Sequence, residues 1–197
     1  QIHLSSPQSR VQPPIGRVFI DPVITAVEGE CAILLSHEDC FNVASTIASR
    51  EGTKVAVIVP SFPQPGGGVE SGADSFEAEI YRRTDLSLAM ELYTKKGAPY
   101  PVKADNKTTL VHKDVSVIRG PVNMGLPFLE DRSRFTTITT GMKASPNLAP
   151  PQSSTSHLTY CDVDDRLEMT ERMRVILRSS IKADCNTVVM PPLGCID

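Results

Sequence analysis

The sequence has little net charge, no long apolar run and no paired-cysteine spacing, and each absence removes a class of function. Lys and Arg number 20 against 23 Asp and Glu, a formal net charge of -3. A general nucleic-acid surface needs clustered cations in excess, so none is expected. No apolar run approaches the roughly 20 residues of a membrane-spanning helix, and no membrane partner is expected. No secretory leader is read at the start. The five cysteines (Cys31, Cys40, Cys161, Cys185 and Cys195) are odd in number and lack CxxC spacing. Reduced thiols in the cytoplasm or another reducing compartment fit this usage better than a disulfide frame or a zinc site. His3, His37, His112 and His157 lie in unrelated segments without HxxxH or HxxE spacing, so neither a metal centre nor a cofactor is expected.

What is present reads as one α/β domain. The chain has 197 residues, 40% hydrophobic and 22% charged, enough to bury a core. Residues 1–15 are polar and proline-rich and read as an extended arm that lies on this domain or another chain. Apolar runs "RVFI" (17–20) and "CAILL" (31–35) suit buried strands. Ser36 is a candidate cap for a helix carrying Phe41, Val43, Ala44, Ile47 and Ala48, with Gly52 after its end. "KVAVIVP" (54–60) is apolar on both faces, as for a strand covered on both sides.

A helix is expected from about Ala73 to Leu92, a strand or hairpin over 108–120, a strand over 134–141 and a loop over 143–160. An amphipathic helix follows, with Asp162, Asp164 and Asp165 at its positive end. Leu167, Met173, Ile176, Leu177 and Ile181 mark its expected buried stripe. "NTVVMPPLGC" reads as a last strand and turn. Strands alternating with helices predict a layered α/β domain over 16–197.

Between the 54–60 strand and the next helix stands "PQPGGGVESGADSFEAEIYRRTDL". Strand, glycine loop and helix is a recipe for anion binding. Glycine lets backbone approach a phosphate, and N–H groups at the helix start donate to it. The order is neither GxGxxG nor a P-loop, and three glycines taken alone fit a plain tight turn better than an anion site.

The wider stretch resembles the poly(ADP-ribose) glycohydrolase branch of macrodomains, in its microbial type. That signature is GGG followed, after seven residues, by Gln-Glu-Glu. Here Gly66–Gly68 are followed at that spacing by Phe76, Glu77 and Ala78. "YRRTDL", "LVHKDVSVIRG", "TTGMKASPNLA" and "RMRVILRSSIKADCNTVVMPPLGC" resemble later family segments in the same order. The resemblance implies a macrodomain-like three-layer sandwich, a mixed central sheet with helices on both faces, and an ADP-ribose site at one end. Gly66, Gly67, Gly68 and Val69 would lie against ribose and diphosphate, with Phe76 and Glu77 beside them. Gly194 and Cys195 would begin a second diphosphate loop. The family's first Glu, here Glu77, holds ribose hydroxyls. Its second Glu protonates the departing ribose oxygen.

Ala78 stands at that second position and moves no proton. Phe76 replaces Gln, and Ile58 stands where the family often has a strand Asn. Glu79 lies about 100° around a helix from position 78 and is a poor stand-in. Arg82 and Arg83 are as well explained by pairing with Glu79 or Asp85 as by an anion. Phe76 fits a core position better than a stacking platform, and Cys195 a loop thiol better than a nucleophile. The chain begins with Gln1 and stops before the family's closing element, as a processed product or a truncated piece of a longer protein would. Two functions follow. One is an inactive domain binding ADP-ribose, an ADP-ribosylated protein or a related nucleotide diphosphate. The other is a structural component of a larger assembly, such as a viral particle, contacting other chains through its arm. An active glycohydrolase using Glu77 or Glu79 is a third.

Overall fold

Strand β2, Val55–Ser61, is buried along its whole length, and the architecture follows from how its alternate residues are used. The computed structural model describes residues 16–20, 31–63, 65–95, 100–103, 105, 107–141, 148–149, 159–160 and 162–193. The arm, Cys161, Gly194, Cys195 and most of the 143–160 loop lie outside them. Around β2 stand β1 (Gly16–Ile20), β3 (Thr108–Ser116), β4 (Arg134–Gly141) and β7 (Thr187–Val189). Their order is β1-β3-β4-β2-β7. The β2–β4 and β2–β7 pairs are parallel, whereas β1–β3 and β3–β4 are antiparallel, so the sheet is mixed. β5 (Leu148–Ala149) and β6 (Thr159–Tyr160) form a separate antiparallel pair inside the expected loop.

Side chains alternate across a strand. Val55, Val57 and Val59 of β2 join Leu110, Val115 and Phe135 in one apolar cluster. Helix α1 (Cys40–Ala48) adds Phe41 and Ala44 to it, α2 (Phe76–Arg83) adds Ile80, and α3 (Leu86–Lys95) adds Leu86, Ala89 and Met90. Ala56 and Ile58 turn the other way, into a cluster with Val111, Ile138 and Ile176 of α4 (Val163–Lys182). This is the expected sandwich, with α1–α3 on one face and α4 on the other. Each fully buried Val, Leu or Ile contributes about 1.5–3 kcal/mol of burial, so the interleaved strand drives both interfaces.

Four expectations are corrected. Residues 31–35 are not a strand: Ile33, Leu34 and Leu35 are 87%, 86% and 98% exposed. A short apolar run becomes a strand only where a neighbour takes its backbone groups, and no described strand does. The cap of α1 is Asp39, not Ser36. Its carboxylate accepts from the Phe41 and Asn42 N–H groups at 3.1 Å each, while Ser36 accepts only from the Glu38 N–H.

The expected helix 73–92 is two helices. Thr84 between them is extended and bridges to Val117, and the Arg83 carbonyl accepts from the Ile118 and Arg119 N–H groups. These tertiary bonds outweigh helix continuation. Finally, α4 buries Arg172, Val175, Ile176, Ser179 and Ser180. Leu167, Leu177 and Ile181 of the expected stripe face solvent. The sheet side accepts Ser179 because its hydroxyl bonds that of Thr109 at 2.7 Å.

Candidate functional site

Ser75 assembles the site. As N-cap of α2 it accepts from the Ala78 N–H at 3.1 Å, and its hydroxyl donates to the Gly67 carbonyl at 2.8 Å. One side chain thus starts the helix and pins the glycine loop to it. Gly66, Gly67 and Gly68 all have left-handed φ, 60°, 61° and 78°. A Cβ on Gly67 would stand 2.2 Å from Ser75 Oγ and 2.7 Å from the Ala78 nitrogen. Only glycine fits there.

Glu77 is fully buried, at 0% exposure. The Phe62 N–H donates to its Oε2 at 2.8 Å, and the Tyr100 hydroxyl donates to its Oε1. Tyr100 in turn accepts from the Gly66 N–H at 2.9 Å and from the Tyr81 hydroxyl at 3.1 Å. Burial pushes the Glu77 carboxyl up to about 7, although the Tyr100, Phe62 and Gly67 bonds oppose the shift. Burial also raises the hydroxyl pKa values of Tyr100 and Tyr81, so both remain neutral donors.

Glu79 is used elsewhere. It pairs with Arg83 at 2.7 Å, which binds Asp39 through both terminal nitrogens at 2.6 and 3.0 Å. The Arg83 guanidinium lies 4.4 Å over the Phe41 ring. Burial opposes ionisation of Asp39, but Arg83 and the helix N–H groups outweigh it, so its pKa is lowered. Arg83 therefore ties α2 to the start of α1 and is not an open anion site.

Ala78 is also 0% exposed. Phe76 is half-buried against the α1–α3 cluster, and Val69 is half-buried beside the glycines. Ile58 does not join this group. Strand alternation places it in the α4-side cluster, whereas Val57 and Val59 face the α2 side. Among the described residues no group of His, Cys, Asp and Glu could hold a metal ion. Cys31, Cys40 and Cys185 are free thiols, and burial raises the Cys40 thiol to about 12.

Chemically, the structure brings Gly66, Gly67, Gly68, Val69, Phe76 and Glu77 together. A carboxyl titrating near 7 suits proton transfer, but Glu77 is enclosed, and Glu79, its nearest acidic neighbour in sequence, is ion-paired. The paired carboxylates of a glycosidase are not presented. The sequence reading missed Tyr100, Tyr81 and the Phe62 N–H. Tyr100 lies beyond α3, and no local spacing marks it as a partner of Glu77.

A mixed sheet between two helical layers, with a glycine loop running into a short acid-bearing helix, is the fold also seen in solved poly(ADP-ribose) glycohydrolase structures. Solved structures agree on the fold. Poly(ADP-ribose) glycohydrolase from Thermomonospora curvata superposes with TM-score 0.64 at 16% identity, over 92% of this chain and 67% of that one. The same enzyme bound to the inhibitor ADP-HPD gives 0.58 at 18%, over 82% and 58%. The Deinococcus radiodurans glycohydrolase in complex with ADP-ribose gives 0.53 at 18%, over 81% and 61%. The chain thus covers between 58% and 67% of the chains in these three structures. No family model and no curated protein matches it.

Proposed function

We propose that this chain is a macrodomain-like domain that recognises ADP-ribose, or a related nucleotide diphosphate, without hydrolysing it. One observation carries the reading: a buried Ala78 stands between two carboxylates that are both held by the protein itself. The glycine loop and the fold shared with ADP-ribose-bound glycohydrolases support the choice of ligand. Either free ADP-ribose or an ADP-ribosylated protein is the proposed partner. The free thiols are compatible with a reducing compartment, the cytoplasm being the one proposed.

The test has two arms. Incubation with labelled poly(ADP-ribose) is expected to release no free ADP-ribose above background. Calorimetric titration with ADP-ribose is expected to give saturable heat. Release comparable to that of an active glycohydrolase overturns the reading. A second reading, a structural component that keeps the fold without ligand, is favoured by one observation. The Gly66 N–H, which an anion would use, already bonds the Tyr100 hydroxyl oxygen. No heat with ADP-ribose at about millimolar concentration, near the ~4 kcal/mol floor of measurable binding, selects that second reading.

A further inference from the structure

The parallel strands β2 and β4 lie side by side and end level, at Ser61 and Gly141. The chain leaves β2 for α2 on one face of the sheet, and the next described helix after β4 is α4, on the other. Neighbouring strands whose connections diverge in this way open a crevice at their carboxyl ends, where open α/β sheets bind ligands. Residues 100–103 cross that end. The Val102 N–H donates to Ser61 Oγ at 3.2 Å, and a Cβ on Gly141 would stand 2.3 Å from the Val102 carbonyl oxygen. Val102 itself is buried in the α1–α3 cluster and anchors the segment.

Tyr100 stands two residues before this anchor and reaches the glycine loop with its hydroxyl. That one oxygen donates to Glu77 Oε1 and accepts from the Gly66 N–H at 2.9 Å and from the Tyr81 hydroxyl at 3.1 Å. All three partners lie in the glycine loop or in α2, the elements that build the candidate site. Giving a proton to a carboxylate while accepting from neighbouring donors is the bonding of a sugar hydroxyl. An ionised phosphate oxygen only accepts. In the same place it would satisfy Gly66 and leave Glu77 without its donor.

We propose that Tyr100 is a built-in placeholder for a ribose hydroxyl. Binding turns its side chain away from Glu77 and Gly66 while Val102 holds the backbone, and the ligand hydroxyl takes over the same hydrogen bonds. The inference rests on the reading of this site as one for ADP-ribose. The closed form competes with ligand, so the apparent affinity is reduced by the fraction of molecules with Tyr100 displaced. Tyr100 thereby sets both the kind of group admitted beside Glu77 and the strength of binding.

Calorimetric titration with ADP-ribose compares the unmodified chain with Tyr100→Ala, and circular dichroism checks that both are folded. Tyr100→Ala is expected to bind at least about tenfold more tightly, as when a tenth or less of the unmodified molecules are open. Heat from Tyr100→Ala alone supports the placeholder equally. A second measurement needs no alanine variant. With the rings of the four tyrosines isotope-labelled, the NMR signal missing from Tyr100→Phe belongs to Tyr100. Adding ADP-ribose to the unmodified chain is expected to move that signal toward the position of a solvent-exposed tyrosine. Equal or weaker binding by folded Tyr100→Ala, or a Tyr100 signal unmoved at saturating ADP-ribose, overturns the placeholder and leaves the ligand reading standing. Neither heat nor a signal change in any of these proteins overturns both.

Discussion

The Tyr100 hydroxyl donates to Oε1 of Glu77, a residue 23 positions earlier in the chain, and closes off a carboxylate that an active site would expose. The same oxygen of Tyr100 accepts from the Gly66 N–H. Carboxylate, tyrosine and glycine loop are therefore one hydrogen-bonded unit.

Removing that hydroxyl leaves a buried carboxylate short of a donor and the Gly66 N–H short of an acceptor. Tyr100→Phe is expected to destabilise the domain by about 1–3 kcal/mol, the typical penalty for buried unsatisfied groups. Urea titration measures it. An unchanged midpoint contradicts the unit.

Glu77 also predicts a pH dependence. Its folded pKa, about 7, lies above the ordinary 4.5, so the folded state binds the extra proton between those values. Stability then falls as pH rises from 4.5 to 7, by about 3 kcal/mol at about 1.4 kcal/mol per unit. His112 acts in the opposite direction. Burial depresses it from 6.5 to about 4, so its contribution is present above 6.5 and lost as pH falls toward 4. Glu77→Gln is expected to remove the alkaline-going loss and keep the acid-going one. Melting temperatures at pH 5, 6, 7 and 8 separate the two, and parallel profiles for the two proteins contradict the assignment.

Gly67 and Gly52 form a matched comparison. Both have left-handed φ, 61° and 74°, but a Cβ on Gly52 meets nothing within 4 Å. Gly52→Ala is expected to cost about 1 kcal/mol from backbone strain alone. Gly67→Ala adds collisions with Ser75 and the Ala78 nitrogen and is expected to cost at least about 3 kcal/mol. Equal losses on denaturation would mean that the loop yields at no expense.

Arg83→Met leaves Asp39 and Glu79 as facing carboxylates without their shared cation. A loss of about 3–5 kcal/mol is expected, as when one partner of a buried ion pair is removed. Arg83→Lys keeps charge but not the two-pronged contact with Asp39 and is expected to recover only part. Full recovery by lysine in chemical denaturation contradicts the geometric argument.

Restoring chemistry by sequence analogy is expected to fail. Ala78→Glu puts a carboxylate at a fully buried position. Ile58→Asn puts an amide into the apolar α4-side cluster rather than the site. Both changes, singly or with Phe76→Gln, are expected to lower the melting temperature and to release no ADP-ribose from polymer. Turnover by Ala78→Glu with an unaltered melting temperature contradicts the placement.

Much of the architecture is legible in the chain because its causes are local. The unbroken apolar run Val55–Val59 reports a strand covered on both faces. Asp162 caps α4 as its position before the amphipathic run indicates. Three glycines before a helix mark a left-handed loop, and the angular offset of Glu79 from position 78 follows from the helix repeat. What the tertiary structure decided involves partners remote in sequence. Thr84 breaks a periodic helix because Val117, more than 30 residues on, offers a bridge. Residues 31–35 satisfy a strand pattern but have no described partner strand. Helix α4 has two apolar lines, and only contact with the sheet decides which is buried. Glu77 is enclosed because Tyr100 reaches it from beyond α3. Periodicity and capping act within a few residues, whereas burial and hydrogen-bond satisfaction are settled only when distant segments meet.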